Sequence, residues 1–183
     1  MFFKKKNKEI KQLCVTLYKL IVKQARAKEF YLNLKIPDTI DGRFELIILH
    51  FFLLERILDK EIKKDQLIYK ELLDIMYKDF DMSLREIGVG DLSVGKKIYQ
   101  MTEAFSGRLF AYRKFNNKKN FGSMETTIKR NIYGTINNID ARCVEIIKSY
   151  ITDSMEYIDK SLIYEVSENS SIFIDLNRYI INK

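Results

Sequence analysis

The sequence predicts an all-α fold, a single-domain bundle of about six to eight helices. Proline occurs once and glycine seven times in 183 residues, whereas Leu, Ile and Lys are abundant, and this composition favours helices over a turn-rich β fold. Apolar residues recur at helical spacing along most of the chain. With 46% hydrophobic and 31% charged residues, the chain is long enough for one well-buried domain. We expect a basic tail over residues 1–8 and a helical domain over residues 9–183.

The first two helices are predicted on either side of the single proline. Apolar residues at helical spacing predict a helix over about residues 8–30. An extended piece ends at Pro37, because the residue before proline is pushed out of the helical region. A second helix then begins, with Asp38 or Thr39 as its N-cap, and ends near Asp59. It is apolar on almost every side, so we expect it at the centre of the bundle or beneath a partner.

Further helices follow from the same spacing. The third is predicted from inward residues Leu67, Ile68, Leu72, Ile75 and Met76. The fourth should begin at Asp91, its expected N-cap, and carry an apolar face as far as Tyr112. Because the second and fourth helices have the widest apolar faces, we expect both at the centre. Within the fourth, Ser106 and Gly107 are expected to let another helix pack closely beside Arg108.

The C-terminal part predicts one helix around residues 124–132 and then a pair of helices over residues 139–162. Residues 167–171 are polar and typical of a loop. The apolar stretch Ile172-Phe173-Ile174 is expected to dock against the bundle.

A polar corner, residues 79–97, lies between the third and fourth helices. Ser83 and Glu86 fit a capping box, which predicts a helical turn that begins there. Gly88 and Gly90 are expected to set the turn, because glycine readily adopts positive φ. Arg43 and Arg85 are expected to organise the rim of this corner. Their predicted ion-pair partners are Asp79, Asp81 or Asp91.

Residues 90–96 match the phosphate-loop pattern G-x-x-x-x-G-K, but their surroundings do not. The next residue is Lys97, where the motif needs Ser or Thr to hold magnesium, and no buried strand precedes the match. We therefore predict no nucleotide binding here and no cofactor elsewhere.

The residues that could hold a metal are few. With one histidine and two distant cysteines, Cys14 and Cys143, no zinc site can be assembled by the usual ligand spacing. We expect the cysteines to be buried free thiols in a reducing compartment. His50 lies in the apolar second helix, where a hydrogen-bonded packing role is expected.

The net charge of +7 permits association with anionic lipid, RNA or an acidic protein surface. The basic start lacks the apolar core of a signal peptide, and the longest apolar run, residues 46–54, is about half the length that spans a bilayer. We therefore expect a cytoplasmic protein. Any membrane contact would be peripheral, through Phe2, Phe3 and the neighbouring lysines, Lys4, Lys5, Lys6 and Lys8.

A basic, Asn-rich linker is predicted over residues 113–122. It would be a solvated loop, or a surface for RNA or lipid in which Phe115 and Phe121 alternate with the charges. DNA is not expected as a partner.

Three blocks of residues, in this order and spacing, resemble the ubiquinol–cytochrome c chaperone family. They are residues 30–50 with Ile36-Pro37-Asp38-Thr39-Ile40-Asp41-Gly42-Arg43-Phe44-Glu45 and His50, then the corner 79–97, then residues 101–112 with Gly107-Arg108 and Ala111-Tyr112. Residues 18–26 resemble the family's first helix. The resemblance covers about residues 17–131, and residues 132–183 match it weakly.

The resemblance implies an all-helical, non-catalytic assembly factor. It implies binding to the newly made cytochrome b subunit of ubiquinol–cytochrome c reductase, respiratory complex III. From the mitochondrial relatives, which act in the matrix at the inner membrane, it also implies a small partner protein and the ribosome.

Two hypotheses follow for the polar junctions at residues 38–50 and 79–97. In the first, the junctions hold cytochrome b. In the second, the same cluster serves a small helical enzyme or an RNA- or ribosome-binding module; the enzyme would use Asp38, Asp41, His50, Asp91 or Lys96 as acid–base groups. A deep pocket with converging carboxylates would favour the enzyme, and a broad groove with an apolar floor the chaperone. The candidate residues are Asp38, Asp41, Arg43, His50, Asp79, Asp81, Arg85, Glu86, Gly88, Gly90, Asp91, Lys96, Arg108 and Tyr112.

Overall fold

The fold was analysed in a computed structural model, which describes residues 2–61, 66–116, 121–161, 166–167 and 172–180. These residues form helices and connections and contain no β-strand, so the predicted all-α fold is confirmed. The helices are α1 (Phe2–Ala25), α2 (Lys28–Leu32), α3 (Ile40–Glu61), α4 (Gln66–Glu86), α5 (Asp91–Arg113), α6 (Phe121–Asn131), α7 (Ala141–Ile158) and α8 (Asn177–Ile180), with a 3₁₀ turn at Lys114–Asn116.

Helix α3 is the centre of the bundle, as its sequence predicted. It packs against α1, α5 and α7, while α4 bridges α1 and α5, and α6 bridges α5 and α7. From Leu46 to Leu54 every residue of α3 is buried, so this helix is covered by its own chain. At its start, the Thr39 hydroxyl accepts a hydrogen bond from the Gly42 N–H at 3.1 Å. Thr39 is therefore the N-cap.

The first helix differs from its predicted bounds at both ends. It begins at Phe2, so the helix includes residues 2–8. It ends at Ala25, because Ala27 is extended, with φ −59° and ψ 125°, before the short helix α2. The lipid contact predicted for Phe2, Phe3 and Lys4–Lys6 falls on side chains outside the described residues.

Three predictions about α4 and α5 are wrong. Leu67 was predicted to face inward but is 45% exposed, while its neighbour Ile68 in the first turn of α4 is buried. Helix α5 is not central, since Leu92, Tyr99 and Phe110 are all more than half exposed. None of the described helices packs closely at Gly107, where an added Cβ would meet nothing within 4 Å.

The basic linker is shorter than predicted. Helix α5 continues through Arg113, and the 3₁₀ turn follows. Phe115 is buried against Phe52 and Tyr112, with ring centroids 6.0 and 5.4 Å away, so it is not an exposed aromatic for RNA or lipid. Residues 117–120 and the Phe121 side chain lie outside the described residues.

The C-terminal part forms one long helix where a pair was predicted. Helix α7 carries Val144, Ile147, Ile151 and Ile158 on its buried face, and Leu162 lies outside the described residues. Ile172, Phe173 and Ile174 are buried, as expected. The Phe173 ring packs edge-on against His50 at 4.9 Å. The last third of the chain therefore covers one side of α3.

Candidate functional site

The fold brings the two polar junctions together at one side of α3. One junction is the start of α3, residues 38–45, and the other is the α4–α5 corner. Two cavities lie between them and share a wall of four apolar side chains: Ile40, Phe44, Leu84 and Met101. We call these two cavities and their common wall the junction groove.

The smaller cavity of the junction groove, about 190 Å³, collects charged side chains from both junctions. Arg43 comes from α3, while Asp79 and Glu86 come from α4. Ile87, which is 55% exposed, lies beside them. This cavity therefore joins three of the predicted site residues to an exposed apolar side chain.

The larger cavity, about 640 Å³, lies between α3, α5 and the end of α6. Asp41 and Arg108 are the predicted site residues that line it. Sequence reasoning missed most of its other polar lining, which includes Glu45, Lys97, Gln100, Arg130 and Asn131. A buried acid in an otherwise apolar helix could have drawn attention to Glu45, but no local pattern links the end of α6 to the corner.

The arginine pairing at the rim is confirmed for Arg85 and wrong for Arg43. Arg85 Nε donates to Asp81 at 2.7 Å, and its Nη1 contacts Asp91. Arg43 pairs instead with Asp38 at 2.7 Å, within its own junction, and lowers the pKa of that carboxyl. All of these side chains are at least 40% exposed, and exposed ion pairs contribute little to stability. Their positions therefore suit a rim that a partner can contact.

Asp79 is held by a residue that sequence reasoning did not connect to it. The Tyr18 hydroxyl donates to Asp79 at 2.7 Å across α1 and α4. Burial, and next the neighbouring carboxylate, raise the pKa of Tyr18 far above its usual value, so the hydroxyl keeps its proton and remains a donor. Asp79 is thereby fixed at the edge of the smaller cavity.

The α4–α5 corner begins with a tight backbone turn at Gly88. Gly88 has φ +86°, its N–H bonds to the Arg85 carbonyl at 2.9 Å, and the Val89 N–H bonds to the Leu84 carbonyl at 3.0 Å. These bonds form the Schellman motif that ends many helices. Ser83 lies inside the last turns of α4, so its predicted capping box does not form.

The other glycine and the acid of the corner also have different roles from those expected. Gly90 has φ −64° and ψ 146° and is the N-cap of α5, without a side-chain capping bond. Asp91 is the first residue of that helix, so its predicted capping role is wrong. Its carboxylate still suits the positive end of the helix.

A partly buried ion pair in the larger cavity links α3 to α5. Arg108 Nε donates to Glu45 Oε1 at 2.6 Å, where the Glu45 side chain is only 6% exposed. Burial raises the pKa of Glu45 to about 7, and the Arg108 charge opposes that shift. A second buried acid, Glu55, pairs with Arg113 in the same order along the two helices. These pairs hold α5 beside α3.

Besides Gly88 and Gly90 of the corner, three of the predicted site residues do not line either cavity and are not rim partners. His50 and Tyr112 are fully buried in the core. His50 contacts the Leu46 carbonyl and the Tyr150 hydroxyl, each at 2.7 Å, which confirms its packing role and separates it from the acids of the enzyme hypothesis. Lys96 is exposed on α5, and its neighbour Lys97 lines the larger cavity in its place.

Two properties of the described residues complete this picture. No helix among them is long and apolar enough to cross a membrane. No group of three His, Cys, Asp or Glu side chains among them could hold a metal ion. Cys14 and Cys143 are both buried, as expected, and the Cys14 thiol donates to the Ile68 carbonyl at 3.6 Å.

Comparisons with known proteins show which family the chain resembles and which solved structure shares its fold. A model of the ubiquinol–cytochrome C chaperone family matches residues 32–164, further toward the C-terminus than the residues that carried the resemblance. Ubiquinol-cytochrome c reductase complex assembly factor 1 of Mus musculus is 22% identical over 151 residues, which cover 82% of this chain and 50% of that protein. The mitochondrial protein CBP3 of Saccharomyces cerevisiae is 26% identical over 137 residues, which cover 73% of this chain and 41% of that protein.

The chain thus spans about half the length of the curated relatives that it matches. A solved structure agrees over nearly the whole chain. The crystal structure of the Cbp3 homolog from Brucella abortus superposes with a TM-score of 0.78 at 26% identity and covers 97% of each chain.

Proposed function

The chain belongs to the ubiquinol–cytochrome c chaperone family, and on that premise we propose that it is a non-catalytic assembly chaperone for ubiquinol–cytochrome c reductase, respiratory complex III. Its client is the newly made cytochrome b subunit, which it holds at the junction groove. It acts in the cytoplasm, in peripheral contact with the inner membrane where the client is inserted. The name of its Mus musculus relative, ubiquinol-cytochrome c reductase complex assembly factor 1, supports this assignment.

One observation carries the proposed site: the two junctions that resemble the family meet around a shared apolar wall. A chaperone for a membrane subunit needs exposed apolar surface to shield its client and a polar rim to release it. Ile40, Met82, Ile87 and Leu92 provide such surface at the junctions, with exposed fractions between 47% and 101%. Arg85 with its two carboxylates provides the rim.

The test is capture of cytochrome b by the tagged full-length protein, purified from membranes of cells that make complex III. We expect Arg85→Ala and the double variant Ile87→Ser/Leu92→Ser each to lower the captured cytochrome b several-fold. Complex III activity in the same cells should fall with it. Circular dichroism of each purified variant should match the wild type, because the changed side chains are exposed.

Two matched controls separate the site from general surface effects. Lys129→Ala breaks an exposed pair with Glu125, which has the same spacing as Arg85 and Asp81. Leu32→Ser removes an apolar side chain that is 63% exposed on α2 and lines neither cavity. Capture should be unchanged in both. Folded Arg85→Ala and Ile87→Ser/Leu92→Ser proteins that capture cytochrome b as well as the controls would contradict the proposed site.

A further inference from the structure

The larger cavity of the junction groove has three basic side chains in its lining. Lys97 and Arg108 come from α5, and Arg130 comes from the last turn of α6. Each arginine uses its Nε within the protein: Arg108 donates to Glu45 at 2.6 Å and Arg130 to Asn131 at 3.1 Å. In the described part of the chain, no bond occupies their terminal nitrogens or Lys97 Nζ. These donors are free for a ligand.

The carboxylates that line this cavity do not balance the three cations. Asp41 and Glu45 both line it; Asp41 is exposed and Glu45 is buried. One Glu45 oxygen, Oε1, is taken by Arg108, and burial raises the pKa of Glu45 to about 7, so part of the population is uncharged at neutral pH. The lining therefore carries an excess of positive charge.

The rest of the lining is a mixture of apolar and uncharged polar groups. Phe44, Leu84 and Met101 form one wall, while Gln100 and Thr135 add hydrogen-bonding side chains. The volume of about 640 Å³ falls within the range of roughly 300–1,000 Å³ that is usual for ligand pockets. It suits a short turn of polypeptide with both polar and apolar side chains.

We propose that this cavity binds an acidic segment of the client, a short stretch in which an Asp or Glu side chain stands beside an apolar residue. The carboxylate would meet the free ends of Arg108 and Arg130, because a guanidinium fork matches a carboxylate in geometry as well as charge. The apolar neighbour would rest on Phe44 and Met101. The inference rests on the proposed function, and it adds the chemistry of the segment that is recognised.

The test uses overlapping labelled peptides that cover the loops and termini of cytochrome b from the same cell, with the full-length protein, in fluorescence anisotropy at low salt. Bound peptides should contain Asp or Glu, and Asp→Asn or Glu→Gln changes in them should weaken binding at least tenfold. The double variant Lys97→Glu/Arg130→Glu should lose binding to a similar extent. Arg108 is left intact, because its removal would leave Glu45 buried without a partner.

A matched double variant, Lys96→Glu/Lys129→Glu, controls for net charge. Its two lysines are the sequence neighbours of Lys97 and Arg130 on the same helices, but they do not line the cavity. This variant has the same total charge and should bind the peptides within about twofold of the wild type.

The outcomes separate this inference from the proposed function. If intact cytochrome b is captured equally by both double variants, the acidic-segment inference fails while the chaperone proposal stands. If no cytochrome b is captured by the wild type, both fail. The inference is also overturned if neutral or basic peptides bind as tightly. The same holds if Lys97→Glu/Arg130→Glu loses binding to phosphatidylglycerol vesicles and keeps peptide binding, since the cavity would then be a lipid site.

Discussion

At the residue scale, His50 shows how a lone histidine can serve packing. The Leu46 carbonyl can only accept a hydrogen bond, so Nδ1 must donate to it, and Nε2 then accepts from the Tyr150 hydroxyl. The Tyr150 oxygen in turn accepts from Gln24 Nε2 at 3.2 Å. This chain of hydrogen bonds connects α1, α7 and α3 inside the core. It requires a neutral imidazole.

The neutral state of His50 leads to a pH prediction. Burial lowers the pKa of His50 from 6.5 to about 4, so the unfolded chain takes up this proton first as pH falls. The stabilising contribution is therefore complete above about pH 6.5 and is lost as pH falls toward 4, by roughly 3 kcal/mol in total. Urea unfolding of wild type and His50→Gln at several pH values should show their difference in free energy shrinking by about that amount.

The contribution of His50 is isolated by the difference in free energy of unfolding between the wild type and His50→Gln. Burial raises the pKa of Glu45 from 4.5 to about 7, so its contribution has the opposite sign and is lost as pH rises through that range. It is present in both proteins and cancels from the difference. A difference that stays constant between pH 7 and pH 4 would contradict a buried, neutral His50.

At the element scale, two glycines fix the geometry of the junction groove. An added Cβ on Gly42 would lie 1.9 Å from the Pro37 carbonyl oxygen, so only glycine allows the chain before α3 to approach that helix so closely. Gly88 provides the positive φ that ends α4. Together they bring the start of α3 and the α4–α5 corner to the same groove.

Substitution of the two glycines in the α4–α5 corner should have different effects on stability. Gly88→Ala should lower the free energy of unfolding by about 1–2 kcal/mol, because a side chain at φ +86° is strained even in open space. Gly90→Ser should leave stability unchanged or raise it by a few tenths of a kcal/mol, because Gly90 has an ordinary φ and serine is a good N-cap. Urea unfolding monitored by circular dichroism measures both. Equal losses in the two variants would show that the corner is not a Schellman turn.

At the scale of the whole molecule, the C-terminal part belongs to the same core as the rest. Helix α7 packs against α3 and α6, and most of the buried apolar residues from α1 to Leu176 form one apolar cluster. The Gln24 side chain also donates to the Ile174 carbonyl at 3.1 Å, which ties the first helix to the last buried segment. We therefore expect one cooperative unit over residues 9–183.

Removal of α7 tests this expectation. A chain that ends at residue 140 should lose its sigmoidal urea transition and elute as an aggregate in size-exclusion chromatography, because the α7 face of α3 would be exposed to water. The full chain should unfold in one transition that is the same by circular dichroism and tyrosine fluorescence. A truncated chain that unfolds at the midpoint of the full chain would show that the C-terminal part is a separate unit.

The sequence by itself determined the helical class, the central position of α3 and the Gly88 turn, and it left the cap of α3 open between Asp38 and Thr39. Each of these follows from local rules, since the apolar period decides which face of a helix is buried and short-range backbone geometry decides where it ends. The capping roles predicted for Ser83 and Asp91 were wrong. A residue caps a helix only if it stands just before the first helical residue. Ser83 lies inside α4, and Gly90 takes the capping position before Asp91.

Only the tertiary structure decided which side chains share the junction groove. Glu45 and Arg108 are separated by 63 residues, and Arg130 reaches the same cavity from α6. Contacts of this kind depend on how helices cross and on which rotamers fit between them, and no spacing within one helix specifies either. The sequence predicted helices with polar ends. The packing of α5 against α3, and of α6 against α5, turned two of those ends into a groove lined by cations.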